Sequence, residues 1–490
     1  MTELLIRGGY LYPADAGASV VPNGSVLVSG GRITAVGPAA EVQAPEGVRV
    51  VDATGKMILP GFVNAHWHDL FAMRLPFRGT LRPPHDRDDQ PAFMALGGNL
   101  QAISTAFDSF TDKIGQLTVD EADAIARYSM WTQLRTGVTT LGDVGSFNRP
   151  ESLAGAAKFL GMRASVSTWA SDAVCAPGET RFRRTRDADG VLQGIEGLLR
   201  HVAADTSGLL RARPTSVYGV NMTDELGAGF AELVAKYDVP FATHVGALRN
   251  EYEVSRAYYG ATPVRRFADL GLLSPRFMAV HTAFVDEDEG KLLVDNNVHV
   301  SFSPAKYGHA GESTLTETRA IPEFRRAGLD VSLSTDGAAL PVGGMVEAMK
   351  VTYQVVNEMY ADPTEVLPTD ALAMATRIAA KGLEWHDIGS LEVGKQADVV
   401  LVGIDDWRYL LNPRPLEGFL ALGGSADVDT VIVAGNVLVE GGRATGFDER
   451  ELEANYLEAL GSFSVRALGV DPEVVAARTR RPAGRGGTGT

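Results

Sequence analysis

At 490 residues with 45% hydrophobic side chains, the chain can bury a large core and exceeds one ordinary domain, so a large domain with a smaller companion is the expected organisation. The net charge of −16, with no basic stripe to offset it, argues against nucleic acid as a partner. A single cysteine, Cys175, excludes an intramolecular disulfide framework and any cysteine-built zinc site, which points to a reducing compartment. The opening residues lack the basic start and apolar core of a signal peptide, and no apolar run approaches the ~20 residues that cross a bilayer. A cytoplasmic protein without a membrane partner is the expectation.

From Leu4 to Val51 short strand-like runs alternate with glycine turns, including a hairpin turn at Gly30-Gly31. The same texture returns at Ala397–Val402 and Asp429–Asn436, so residues 1–57 and 386–445 are expected to form one small β-sandwich domain built from both chain ends. Between them, over 58–385, strand-like and helical runs alternate in the manner of an α/β (β/α)8 TIM-type barrel with insertions. Its eight strands are placed to end near His68, Asp143, Ala170, Tyr218, His244, His281, Ser303 and Asp336, with helices over 121–128 and 227–236 among those that follow. Residues 446–475 read as a C-terminal helical segment, and 476–490, rich in arginine and glycine, as a disordered, solvated tail.

The most informative short feature is the pair His66 and His68 at the end of the apolar run Leu59-Pro60-Gly61-Phe62-Val63-Asn64-Ala65. A strand puts alternate side chains on one face, so the two imidazoles can grip one metal ion together, while Trp67 between them turns to the other face and packs. Three further strand-like runs end in ligand-type residues, at His244, His281 and Asp336. In a parallel barrel, active sites form at the carboxyl ends of the strands, where these residues fall. Imidazoles with one carboxylate suit one divalent ion, zinc first, with Fe2+ or Mn2+ as alternatives. No G-x-S-x-G elbow is present, and the zinc motif of cytidine deaminases needs cysteines that the chain lacks.

These residues resemble the amidohydrolase superfamily, in its branch of triazine hydrolases and aromatic or nucleobase deaminases. The likeness is carried by Leu59 to His68, Gly137-Val138-Thr139-Thr140, Ser334-Thr335-Asp336-Gly337, Ala375-Thr376 with Ala379-Ala380, and Gly389 to Val400, and it covers nearly the whole chain. The resemblance implies a barrel hydrolase with His66, His68, His244 and Asp336 as metal ligands, and with His281 and Asp336 as catalytic groups beside a metal-activated water. Two-metal members bridge their ions with a carboxylated lysine on strand four, where this chain has Val217-Tyr218-Gly219-Val220; one ion is the simpler reading.

Two departures bear on the substrate. Family deaminases usually carry a proton-shuttling glutamate three residues after the strand-five histidine, and here that position is Ala247, with Glu251 and Glu253 further on as replacements or as plain helix carboxylates. On strand seven the family often shows Pro-Thr-Ser-Asn, and here stands Pro304-Ala305-Lys306-Tyr307. Candidate substrate contacts are therefore Glu251, Tyr307, His309 and, among the arginines after His68, Arg78, whose guanidinium suits a substrate carboxylate unless Asp86, Asp88 and Asp89 neutralise it. The expected activity is hydrolysis of a carbon–nitrogen bond, other than a peptide bond, in a small nitrogen heterocycle, deaminase fashion. Opening of a cyclic amide or imide, or exocyclic amide cleavage, is the alternative with the same site, and a catalytically silent assembly protein is the remote one. A small-molecule substrate is the expected partner, and a homodimer is left open.

Overall fold

The computed structural model describes residues 3–75, 98–310, 315, 317–337 and 344–480. Arg78 and the rest of 76–97 lie outside the described residues, as does 481–490.

Both ends of the chain meet in one nine-stranded sheet. Glu3–Leu11, Val21–Ser29, Arg32–Pro38, Arg49–Asp52 and Lys56–Pro60 come from the first segment, and Val399–Gly403, Val428–Val433, Asn436–Glu440 and Arg443–Ala444 from the second. The join is the antiparallel pairing of Lys56–Pro60 with Val399–Gly403. In place of the two separate sheets of a sandwich, the nine strands are hydrogen-bonded into a single sheet, with Glu3–Leu11 paired along different parts of its length to Arg49–Asp52 and to Lys56–Pro60. Alternate side chains of the sheet, including Leu4, Ile6, Val26, Val28, Ile58, Val399, Leu401 and Ile432, fill a core of their own. The hairpin turn forms as expected because Gly30 and Gly31 both take positive φ, +58° and +81°, the conformation a two-residue turn of this hand requires.

The middle of the chain is α/β with parallel sheets. Phe62–Trp67, Val138–Asp143, Arg163–Val166 and Leu210–Ala212 pair in that order. Trp169–Ala170, Thr215–Tyr218, Phe241–Val245, Phe277–His281, His299–Phe302 and Val331–Leu333 form the second sheet. The sheets adjoin at two places. Arg163–Val166 runs on through Ser167 and Thr168 into Trp169–Ala170, and at the other edge Trp67 bridges in parallel to Asp336. There the amide of Asp336 donates to the carbonyl of His66 at 3.1 Å, and the amide of His68 to the carbonyl of Asp336 at 2.6 Å. The strands approach closely enough that a Cβ at Gly61 would meet Thr139 Oγ1 at 2.1 Å.

Helices lie between the strands and bury one stripe each. In Asp224–Tyr237, capped by the Thr223 hydroxyl, Leu226, Phe230 and Leu233 recur at helical spacing and are buried. Val119–Leu134 starts at a capping box of Thr118 and Glu121. Against it packs the helix Glu449–Arg466, with Tyr128 and Tyr456 stacked at 4.3 Å. The last described helix, Pro472–Thr479, continues past residue 475, where the tail was expected to begin. Among the described residues no helix is long and apolar enough to cross a membrane.

Candidate metal centre

His66 and His68 stand at the carboxyl end of Phe62–Trp67, and strand alternation turns both imidazoles the same way. Their Nε2 atoms lie 3.1 Å apart, and His68 Nε2 lies 3.2 Å from Nε2 of His244, which the neighbouring parallel sheet delivers from Phe241–Val245. Asp336, beyond the end of Val331–Leu333, places Oδ1 at 3.4 Å from His68 Nε2 and 4.0 Å from His66 Nε2. All four side chains are buried. Trp67 faces away and donates its indole N–H to Asp69 Oδ1 at 3.1 Å, the packing role expected of it.

The chemistry of this donor set fits a divalent cation. Burial pushes the imidazoles of His66, His68 and His244 below their ordinary range, His68 to about 3, and at His68 and His244 it does so against the opposing charge of Asp336, so they are neutral and offer lone pairs. The Nδ1 of His244 meets the Val217 carbonyl at 2.5 Å, which fixes the proton there and leaves Nε2 bare. With the lone pair of His244 Nε2 facing His68 Nε2, and His66 Nε2 beside it, the three nitrogens are placed to share one cation. Burial works against the charge on Asp336, but the Lys306 ammonium opposes it, and the carboxyl is held well below the usual range.

His281 closes the other side. Its ring stacks on that of His244 at 5.3 Å, its Nε2 lies 3.6 Å from Asp336 Oδ2, and its Nδ1 pairs with the Tyr307 hydroxyl at 2.8 Å. The backbone is strained at these positions: φ is +80° at His281, +46° at Thr282 and +63° at Asp336, conformations that cost non-glycine residues about 1–3 kcal/mol each. Such strain persists where packing over-determines it, and it clusters at functional sites.

The substrate-contact candidates fare differently. Tyr307 is buried behind His281, and its hydroxyl also accepts from the amide of Ser303 at 3.2 Å, so it orients the imidazole. His309 is exposed on the helix Pro304–Ala310. Glu251 is buried but turned onto its own loop, where its carboxylate accepts the amide of Ala247 at 3.0 Å; burial pushes its carboxyl up to about 8 against those backbone hydrogen bonds. Glu253 is exposed on the same helix.

Two groups stand in the site that the motifs did not single out. Lys306, at the strand-seven departure, is buried with its ammonium 3.2 Å from Asp336 Oδ2. The signal was the lysine itself, an unusual residue for a position between an apolar strand and its helix. Trp169 sets its ring edgewise to His68, centroids 5.7 Å apart, and against Phe107 at 4.6 Å; its buried Nε1 has no hydrogen-bond partner among the described residues. It stands one residue before the expected strand end at Ala170.

Comparison with known proteins identifies the family. Residues 57–438 match the amidohydrolase family. The 5-methylthioadenosine/S-adenosylhomocysteine deaminase of Desulforudis audaxviator is 31% identical over 463 residues, covering 91% of this chain and 96% of the relative. The 5'-deoxyadenosine deaminase of Methanothermobacter thermautotrophicus is 29% identical over 455 residues, covering 91% and 96%. Among solved structures, the atrazine chlorohydrolase of Arthrobacter aurescens complexed with zinc superposes with a TM-score of 0.78 at 25% identity, over 93% of this chain and all of that one. An adenosine deaminase from Xanthomonas campestris with bound zinc gives 0.79 at 24% identity over 96% and 99%, a likeness of fold.

Proposed function

This chain belongs to the amidohydrolase family, and on that premise we propose that it is a metal-dependent hydrolase of a carbon–nitrogen bond, other than a peptide bond, in a small nitrogen heterocycle, with ammonia or an amine leaving. The observation that carries the reading is the meeting of three imidazole Nε2 atoms with one Asp336 oxygen. His66, His68, His244 and Asp336 would hold one divalent ion, zinc first; the run Val217 to Val220 supplies no bridging lysine for a second. The same reading takes the eight parallel runs as one closed (β/α)8 barrel over 58–385. Its support is the pairing at Trp67–Asp336 and the continuation of Arg163–Val166 into Trp169–Ala170 and of Leu210–Ala212 into Thr215–Tyr218, which makes eight runs of the ten strands. The nine-stranded sheet, from 1–57 and 386–445, is then a small companion domain.

A divalent ion at this position supplies Lewis acidity and an acidified water, whose pKa falls from ~15.7 toward ~7. Asp336 Oδ2, the oxygen that faces His281 Nε2 and Lys306 while Oδ1 faces His66 and His68, would accept the proton of the attacking water. His281 Nε2, held by Tyr307 through Nδ1, faces the attacked group and stabilises charge that develops there. Trp169 and Phe107 give the heterocycle an aromatic wall beside His68.

Ala247 separates this chain from a plain nucleobase deaminase, because no carboxylate stands there and Glu251 is engaged by the loop amide. General acid–base help is typically worth about 100- to 10,000-fold, so guanine, adenine and cytosine are expected to be poor substrates. The same observation favours a second reading, ring opening of a cyclic amide or imide or cleavage of an exocyclic amide, where ring-nitrogen protonation matters less. Elemental analysis combined with a screen of nucleobases, nucleosides, pterins, triazines and cyclic amides tests both. One equivalent of metal and turnover of a heterocycle are expected; replacement of a ring-borne amino group by oxygen with release of ammonia or an amine marks the first reading, and formation of a new carboxylic acid, by ring opening or amide cleavage, marks the second. Protein that takes up no divalent ion, or that turns over an unmodified nucleobase with kcat/KM near ~10⁶ M⁻¹s⁻¹, a normal value for an evolved enzyme, overturns the respective claim.

A further inference from the structure

Where one strand carries a residue more than its neighbour, the ladder is interrupted and the backbone groups of the extra residue need other partners. That happens beside the metal centre. Asn64 pairs with Leu141 and Trp67 with Asp143, so Ala65 and His66 together stand opposite the single residue Gly142. The Ala65 carbonyl is pressed onto that glycine, for a Cβ at Gly142 would meet the oxygen at 2.4 Å. A bulge bends its strand and re-aims side chains, and this one sets the direction of His66 within it and of His68 two residues on.

The guanidinium of Arg213 supplies the partner. Arg213 stands between Leu210–Ala212 and Thr215–Tyr218, with its amide on the Val166 carbonyl at 3.2 Å. Its side chain is fully buried, and one terminal nitrogen donates to the Ala65 carbonyl at 3.0 Å and to the Asp143 carbonyl at 3.3 Å, so it spans both strands of the bulged pair. The other terminal nitrogen meets Met278 Sδ at 3.3 Å. The Asp143 carboxylate is engaged elsewhere, accepting the amides of Gly145 at 2.8 Å and Ser167 at 3.0 Å. A buried guanidinium resting on carbonyls and a thioether is a costly core filler, because an apolar side chain of similar volume loses no hydration.

We propose that Arg213 is a positioning residue of the metal-ligand pair: by holding the carbonyls of Ala65 and Asp143 it fixes the bulge, and with it the direction in which His66 and His68 present Nε2. The inference rests on the metal reading above. A constellation of this kind must be held within about 0.5 Å, so a bulge free to relax weakens the site while the fold stays intact.

The test compares full-length wild type with Arg213→Met, an unbranched apolar replacement, and with Arg213→Lys, which keeps one charged donor in place of the fork. Zinc affinity is read by competition with a chromophoric chelator, and stability by denaturant unfolding of the zinc-free protein. Arg213→Met is expected to unfold at the same denaturant concentration as wild type or a higher one, yet to bind zinc about 10- to 100-fold more weakly, the range for groups that orient metal ligands. Arg213→Lys is expected to fall between the two. Unchanged zinc affinity in folded Arg213→Met overturns the proposal, whether or not stability falls. If Arg213→Met does not fold, Arg213→Lys decides: weaker zinc binding at wild-type stability upholds the proposal, and wild-type zinc affinity overturns it. Failure of both variants to fold overturns it too, in favour of a structural role. Wild-type protein that takes up no zinc fails the underlying metal reading instead, and elemental analysis reveals that before any variant is compared.

Discussion

Two buried polar clusters of this molecule are made of the same kinds of groups and finished in opposite ways. At the junction between the nine-stranded sheet and the parallel strands, Arg163 donates through Nε to Asp398 Oδ2 at 2.8 Å and through a terminal nitrogen to Oδ1 at 3.1 Å, while its other terminal nitrogen reaches the Gly208 carbonyl at 2.6 Å. Asp398 Oδ1 also accepts the amide of Ala434 at 2.8 Å. Every nitrogen of the guanidinium has an acceptor, so the cluster is complete as it stands. At the carboxyl ends of the strands, Nδ1 of His66 and of His68 has no hydrogen-bond partner among the described residues, and His68 turns Nε2 toward the Nε2 atoms of His66 and His244. A buried polar cluster that closes on itself holds elements together; one that stays open is built for a ligand.

The comparison can be broken most decisively at the open cluster. His66→Ala and His244→Ala are each expected to abolish metal uptake and turnover together, measured by elemental analysis and by kcat on a confirmed substrate. Full metal content in both variants would show the ligands to be misassigned. Asp398→Ala attacks the closed cluster and should cost about 3–5 kcal/mol in denaturant unfolding, because it strands a buried guanidinium, while the folded fraction keeps its metal. Loss of metal at unchanged stability would reverse the roles assigned to the two clusters.

Smaller effects sharpen the contrast. Tyr307→Phe removes the hydroxyl on His281 Nδ1, and with about 1 kcal/mol for one hydrogen bond the expected loss is roughly fivefold in kcat at unchanged metal content. Unchanged turnover would free His281 from that orientation. The smallest effect concerns Glu251, whose carboxyl is pushed by burial from 4.5 up to about 8, with the neighbouring Glu289 adding to the rise. The folded protein keeps a proton that the unfolded chain releases. Its stabilising contribution is therefore fully present below about pH 4.5 and is lost as pH rises through about 8. Glu251→Gln should flatten the fall of unfolding free energy across this window, and an identical slope in wild type and variant would remove Glu251 as its source.

The alternation of a strand and the turn chemistry of glycine are properties of the local chain. For that reason the sequence alone was enough to place Gly30-Gly31 in a hairpin, His66 and His68 on one face, and His244, His281 and Asp336 at strand ends. Which way a side chain beyond a strand end turns depends on the loop or helix that follows and on what packs against it, and no local pattern encodes that. Tertiary structure alone decided that Glu251 folds back onto the Ala247 amide, that Tyr307 stands behind His281, and that His309 is left in solvent. It also brought Lys306 to Asp336 and Trp169 to His68 across separate strands. The joining of both chain ends into one sheet has the same origin, because strand texture reports that a segment will pair but hydrogen-bond partners are chosen only when distant strands meet.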